Sequence, residues 1–338
     1  MSTKQSRRAP KCCGIEVPNI DALNRSKLSR RLLSGVSDEN YAVITRDSAS
    51  TSCVTVKDGQ IRLGDLGIVD PKALVARIFR FGDAPPSFEL KKHPWICKDL
   101  EEGFVCINPW HSSITSEKPP PAYDDVMRGE TFKNTPSISS RSTSVRSSIA
   151  TICSIDDPNL TTWARVRYWE ERTPIHRTYH ITSSTVHVSD GPRTETGAEH
   201  LCLGVLHSTD AEASIDRTRA KIGRGVCLSK EDDGIWVYNL SDHPIFVHSC
   251  NDPFSVRRLA PKHCVNAFST LADLTSRKQC PCSRAIPGPV DHRALRISFA
   301  KGWGPGYKRL DVTQCPCWLE VLLRRVEEAR APPLPPKS

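Results

Sequence analysis

The 338-residue sequence predicts a multidomain fold: a small α+β domain, a linker, and a larger β-sandwich with flanking helices. Three observations predict it. Residues 113–160 are dominated by Ser, Thr and Pro and hold few large apolar side chains, so they cannot bury enough surface to offset the entropy of ordering. Residues 20–112 mix helical and strand periodicities within a short span. Residues 161–325 carry a long series of short β-branched or aromatic runs separated by turns, the pattern of a sandwich. Residues 1–19 and 326–338 lack periodicity and read as disordered ends.

In chain order, residues 20–45 (IDALNRSKLSRRLLSGVSDENYAVIT) place apolar residues at helical spacing with a break at Gly35, which predicts two short helices. SCVTV and QIRLG follow as strand-like runs around Asp58-Gly59. Asp-Gly between alternating apolar residues is a hairpin signal. The apolar runs ALVARIFRF and GFVCINPW complete the domain, which is expected to end near His111.

After the linker, TWARVRYWE, RTYHITS, LCLGVLH, RGVCLS, GIWVYNL, HPIFVHS, HCVNAFS, LRISFA and CWLEVLL read as strands. DAEASIDRTRAKIG (210–223) has helical spacing and stops at Gly223, a residue suited to ending a helix. A second helix is expected over about 268–278.

Lys and Arg outnumber Asp and Glu by 47 to 38, a formal charge of +9 that favours an anionic partner such as nucleic acid, a phosphoprotein or a membrane surface. The N-terminus lacks the apolar core of a signal peptide, and no run approaches the roughly 18 apolar residues of a membrane span. A soluble intracellular protein with no membrane insertion is therefore expected. In a reducing compartment the 14 cysteines read as buried thiols, with a subset binding metal. HExxH, G-x-S-x-G and GxxxxGK[ST] are all missing, so no catalytic residue is assigned and no enzyme is expected.

Cys97-x8-Cys106-x4-His111, with Cys53 upstream on a strand, offers the donors of a structural zinc site, which would cross-link a domain with little core. The x4 spacing is ordinary for ligands and the x8 gap is not. Isolated buried thiols beside a surface histidine explain the same residues.

Residues 76–111, within VARIFRFGDAPPSFELKKHPWICKDLEEGFVCINPWH, resemble the C-terminal half of the N-terminal Mad-homology domain of Smad proteins. The resemblance implies one structural Zn2+ held by Cys53, Cys97, Cys106 and His111. In DNA-binding Smads this domain reads the major groove with a basic hairpin. Here the matching stretch, KDGQIRLGDLGIVD, keeps Gln60 and Arg62 but has Gly64, Asp65 and Leu66 at its basic end. Losing those cations weakens the phosphate attraction that dominates DNA affinity, which argues against sequence-specific DNA binding.

Within the linker, PPPAY contains Pro-Pro-x-Tyr at Pro120, Pro121, Ala122 and Tyr123. Consecutive prolines preset a polyproline II helix, so docking into the aromatic groove of a WW domain costs little entropy. In Smads such a linker motif recruits WW-containing HECT ubiquitin ligases, and the resemblance implies the same use of Pro120, Pro121 and Tyr123.

WARVRYWEER, RTRAKIGRGVCLSKEDDGIWVYNLSDHPIFVHS and RISFAKGWGPGYKRLDVTQCPCWLE resemble the C-terminal Mad-homology domain over roughly residues 161–324. Arg217 and Lys221 sit at i and i+4 on a helical run, and Lys301 and Arg309 share one Gly-rich loop. If packing brings the two together, four cations face one groove suited to phosphoserine. In antagonistic Smads this groove binds the phosphorylated type I receptor. A solvated basic face is the plainer explanation of the same four residues. Cys315-Pro-Cys317 reads as packed thiols at a strand start, with a redox or metal pair as the other option. Cys280-Pro-Cys282 has no counterpart.

Receptor-regulated Smads end in a phosphorylated Ser-Ser-x-Ser, whereas this sequence stops about twenty residues after Trp318 with APPLPPKS. The resemblance is therefore to the inhibitory branch. It implies an adaptor, shared between cytoplasm and nucleus, that binds the activated type I receptor of the TGF-β/BMP family, blocks receptor-regulated Smad phosphorylation and recruits the ligase, with other Smads as further partners. The alternatives are a Smad-type transcriptional co-regulator or a common-partner Smad acting with DNA.

Overall fold

The computed structural model describes residues 33, 36–45, 52–59, 61–62, 68–85, 88–97, 100–116, 162–191, 198–206, 212–249, 256–268 and 294–324. The motif at Pro120, Pro121 and Tyr123 lies outside the described residues, as do Gln60, Gly64, Asp65, Leu66, Cys280, Cys282, the first of the two expected N-terminal helices, and expected helix positions 269–278.

In the N-terminal unit, helix α1 (Asp38–Thr45) buries Ile44 against Leu33, Val54, Val75 and Ile107. Helix α2 (Pro71–Phe79) shows why ALVARIFRF folds as a helix. Asp70 caps it by accepting the Lys72 N–H at 2.8 Å, and Pro71 takes the first position, where a missing N–H costs nothing. Leu74, Val75 and Ala76 then turn inward. Arg80, just past the helix, donates to the Pro109 and Ser112 carbonyls at 2.9 Å each and lies over the Trp110 ring.

The expected hairpin at Asp58-Gly59 is not formed. Strand β1 (Thr55–Lys57) pairs antiparallel with β5 (Phe104–Cys106), in the register Thr55↔Cys106. QIRLG instead supplies β2 (Ile61–Arg62), which pairs with β3 (Ile68–Val69). The Asp58 N–H bonds the Gly103 carbonyl at 2.7 Å, so the turn residues end the β1–β5 ladder and let the chain leave it.

Strands β4 (Leu90–Lys92) and β6 (Ser112–Thr115) follow, so regular structure continues past His111 into the span expected to be linker. The C-terminal unit adds β7 (Ala164–Glu170), β8 (Thr173–Ile181), β9 (Thr185–Ser189), β10 (Glu199–Cys202), helix α3 (Ala213–Arg219), β11 (Val226–Glu231), β12 (Gly234–Asn239), β13 (Ile245–His248), β14 (Arg257–Leu259), β15 (His263–Phe268), β16 (Ala294–Phe299) and β17 (Trp318–Leu323). The nine expected strand runs all contain strand. Strands β9 and β14 were not foreseen, and Phe268 closes β15 rather than opening a helix. Helix α3 is shorter than its sequence pattern: it ends at Arg219, and the chain turns through Gly223, whose φ is +50°.

The sandwich is present. One sheet runs β14-β13-β16-β17-β7-β8, and the other runs β10-β9-β11-β12-β15-β6-β4. Between them lies a core that includes Val166, Val188, Leu228, Val237, Val247, Ile297 and Leu319.

The second sheet crosses the boundary between the two units. Strand β6 runs parallel to β15, with His263↔Ile114 and Cys264↔Thr115 in register. The Ile114 N–H donates to the Lys262 carbonyl at 3.1 Å and the Ser116 N–H to the Cys264 carbonyl at 2.8 Å. Strand β12 is buried on both faces for this reason. Ile235 and Val237 enter the sandwich core, while Trp236 and Tyr238 pack with Cys227, Cys264 and Trp95 of the N-terminal unit. Lys91 seals that side, 2.9 Å from Glu231, 3.0 Å from Asp233 and 4.1 Å above the Trp236 ring.

Candidate metal centre and cationic groove

Four side chains from separated segments meet at the first site. Cys53 precedes β1 and Cys106 ends β5, so pairing of these strands sets them side by side, and the Ile107 N–H extends the pairing to the Val54 carbonyl at 2.8 Å. His111 closes a 3-10 turn, Pro109–His111, whose cap Asn108 accepts the Trp110 N–H at 3.0 Å and donates to the Ser52 carbonyl at 3.0 Å. Cys97 ends a turn in which its N–H donates to the His93 carbonyl at 3.0 Å.

Their donor atoms all lie within 4.8 Å of one another. Cys53 Sγ is 3.8 Å from Cys97 Sγ, and both Cys53 Sγ and Cys106 Sγ are 3.6 Å from His111 Nδ1. A tetrahedral ion with ordinary zinc–sulfur and zinc–nitrogen bonds needs edges of about 3.8 Å between sulfurs and about 3.6 Å between sulfur and nitrogen. These three separations match, and none of the cysteines is in a disulfide. The donor set therefore fits a tetrahedral divalent ion and can hold one.

The charge state is prepared as well. The hydrogen bond to Cys106, with burial, pushes the Cys97 thiol far up. Cys97, aided by His111 and the Asn108 backbone, acts the other way on Cys106 and lowers it against the effect of its own burial. Thiols must lose their protons to ligate a metal, so loading of this set releases protons.

The second site lies on the sandwich. Arg217 is exposed on α3, and Lys221 is half-buried in the turn just beyond it. Lys301 and Arg309 flank the Gly-rich loop. The structure brings all four into one field: the Lys301 ammonium is held below the usual lysine range by burial and then by Lys221, Arg309 and Arg217. Such mutual repulsion on a half-buried surface is relieved by an anion.

The opening residues of this loop, KGWGPGYK, have physical reasons. Trp303 is 1% exposed and anchors the loop against Phe246, Val312, Cys315 and Trp318. A Cβ at Gly302 would lie 2.4 Å from the Tyr307 ring, and Gly304 needs φ +89°. The Gly304 N–H donates to the Arg309 carbonyl at 2.7 Å, closing the loop under its cations.

Sequence reasoning missed the braces of this cation cluster. Cys315 Sγ donates to the Lys301 carbonyl at 3.6 Å, and Cys317 Sγ donates to the Ile215 carbonyl of α3 at 3.7 Å. The Cys-Pro-Cys run thus touches both halves of the cation set. Burial pushes the two thiols up, to about 11 and about 12, which makes them unreactive at neutral pH. Arg219 forms an ion pair with Glu170, whose side chain is 1% exposed, and so fastens α3 to β7. No local motif marks either contact, because the partners lie far apart in the chain.

The MH1 domain profile matches residues 23–116 and the MH2 domain profile matches residues 161–324. The chain is 34% identical over 314 residues to mothers against decapentaplegic homolog 6 of Gallus gallus, covering 83% of this chain and 70% of that protein. It is 30% identical over 272 residues to mothers against decapentaplegic homolog 7 of Homo sapiens, covering 74% of this chain and 62% of that protein. Dwarfin sma-3 of Caenorhabditis elegans is 25% identical over 338 residues, covering 90% of this chain and 86% of that one. The chain thus spans between 62% and 86% of the length of these relatives. With its paired MH1 and MH2 domains and this set of relatives, the chain belongs to the Smad family, on its inhibitory branch.

Proposed function

We propose that this inhibitory Smad acts at the receptor, as an adaptor rather than a catalyst. Its cationic groove binds the phosphorylated segment of an activated type I receptor of the TGF-β/BMP family and so excludes receptor-regulated Smads. The observation that carries this reading is the mutual electrostatic effect of Lys301, Lys221, Arg309 and Arg217 on one half-buried surface. A phosphoserine brings nearly two negative charges and several acceptors to that surface. Arg309 is half-buried and can present its guanidinium to phosphate oxygens as a fork, while the two lysines act as point charges.

Around this core, Pro120, Pro121 and Tyr123 recruit a WW-domain HECT ubiquitin ligase, so that receptor occupancy leads to receptor degradation. Cys53, Cys97, Cys106 and His111 hold one structural Zn2+ that cross-links the N-terminal domain and takes part in no chemistry. The protein divides its time between cytoplasm and nucleus and also meets other Smads.

The test is calorimetric titration of the full chain with a type I receptor Gly/Ser-rich peptide, phosphorylated and unphosphorylated. Preference for the phosphorylated peptide, lost in the double variant Lys221→Glu/Lys301→Glu, is the expected result. Equal affinity for the two peptides would overturn the groove assignment.

A further inference from the structure

Beside the Cys3His cluster lies a cavity of about 340 Å3 whose walls include Cys97, Cys106 and His111, together with Lys72 and Lys92. Lys72 enters from the first turn of α2, where the Asp70 cap fixes the backbone and Pro71 fixes the start of the helix. Two ammonium groups facing one cavity repel each other, and the Lys72 site is half-buried. Burial is the largest influence lowering its proton affinity, and Lys92 adds to it. Asp70, Cys97 and Cys106 work in the opposite direction. Glu101 and Glu102 line the cavity as well.

Three thiolates and one neutral imidazole around a divalent ion leave a net charge of −1. That charge is largely buried, since Cys97, Cys106 and His111 are 3%, 7% and 1% exposed. A buried net charge is costly unless an opposite charge lies close by. We propose that Lys72 is the counter-charge of the metal centre: its ammonium, carried by α2 into the cavity shared with Cys97 and Cys106, offsets the surplus negative charge of the loaded cluster and so sets how tightly the ion is held and how fast it leaves.

The inference rests on reading the cluster as a metal centre, and the experiment separates the two. The full chain is loaded with Zn2+ and titrated with a chromophoric chelator, and the Co2+-substituted form is followed by its thiolate-to-cobalt charge-transfer band. Lys72→Met keeps a good helix former on α2 and removes only the charge. It is expected to weaken Zn2+ binding by about tenfold, within the range seen for groups just outside a metal's ligands, and to move the cobalt band to lower energy. Lys72→Glu is expected to weaken binding further, and Lys72→Arg to restore both the affinity and the band position. A wild-type chain that takes up neither ion sinks the metal-centre reading itself. Wild-type affinity and an unshifted band in Lys72→Met would overturn the counter-charge while leaving the metal centre standing. So would a loss in Lys72→Arg equal to that in Lys72→Met, because charge would then not be the cause.

Discussion

Replacing Lys91 with Met tests the seam between the two domains. In the native protein the Lys91 ammonium reaches Glu231 at 2.9 Å and Asp233 at 3.0 Å, and sits 4.1 Å above the Trp236 ring. These contacts differ in worth. The Asp233 side chain is 55% exposed, so water and salt screen that arm to nearly nothing. Glu231 is 15% exposed, and its charge-assisted bond is worth about 1–2 kcal/mol. The cation–π contact adds about 1 kcal/mol on a partly covered ring. Glu231 keeps the Tyr238 hydroxyl at 2.6 Å in the variant, so it is not orphaned. The sum is roughly 2–3 kcal/mol of docking free energy. The assay is amide hydrogen exchange at Ile114 and Ser116, whose N–H groups donate across the seam to Lys262 and Cys264. If exchange there follows undocking, Lys91→Met speeds it by roughly 30- to 150-fold. Phe299, whose N–H bonds the Cys317 carbonyl inside the other sheet, serves as the internal control and stays protected. Unchanged protection at Ile114 and Ser116 would refute the shared sheet. A general loss that includes Phe299 would mean that the substitution unfolds the chain rather than parting its domains.

Two further outcomes concern the same seam and the metal centre. Burial alone would raise the Asp233 carboxyl, but hydrogen bonds from Trp236 and Lys91 hold it below the usual aspartate range. A depressed carboxyl contributes stability above its unfolded value and loses it as pH falls through the folded one, but with the side chain 55% exposed that contribution is screened, so exchange at Ile114, corrected for intrinsic chemistry, is expected to accelerate only slightly below about pH 4; a large acceleration confined to that window would mean that the Asp233 arm carries more of the seam than its exposure allows. Stripping metal with a strong chelator is expected to lower the melting temperature of the β1–β5 region by about 10 °C or more while leaving β16 and β17 protected. This would be read by exchange at Ile107 against Phe299, and equal melting with and without chelator would remove the metal from the fold.

How much was legible beforehand differs from element to element, and the reason is range. Turn chemistry and periodicity act over a few residues, so the strands from TWARVRYWE to CWLEVLL stood out, as did a helix within DAEASIDRTRAKIG, though it stops at Arg219 rather than Gly223. Asp58-Gly59 shows the limit. The signal marks a bend, but which strand lies beside Thr55–Lys57 is set by where Cys106 and Ile107 pack, some fifty residues on. The metal ligands were readable as residue types, and resemblance to a family supplied their grouping. Spacing alone left buried thiols as an equal account, because only the β1–β5 register and the turn at His93 bring the sulfurs within reach.

Local chemistry thus defined the parts of this protein: two folded regions, a polar segment between them, four candidate metal donors and four candidate cations. The relations among those parts came from packing. GIWVYN announced a strand with no polar face, yet nothing in it says that Trp95 covers one side of it. Cys315 and Cys317 announced only thiols, and their hydrogen bonds to Lys301 and Ile215 exist because the chain entering β17 touches both the loop and α3. A short-range pattern records what a residue needs: burial, a partner, a turn. Which distant residue meets that need is fixed only when the sheets close and every buried polar group finds its place.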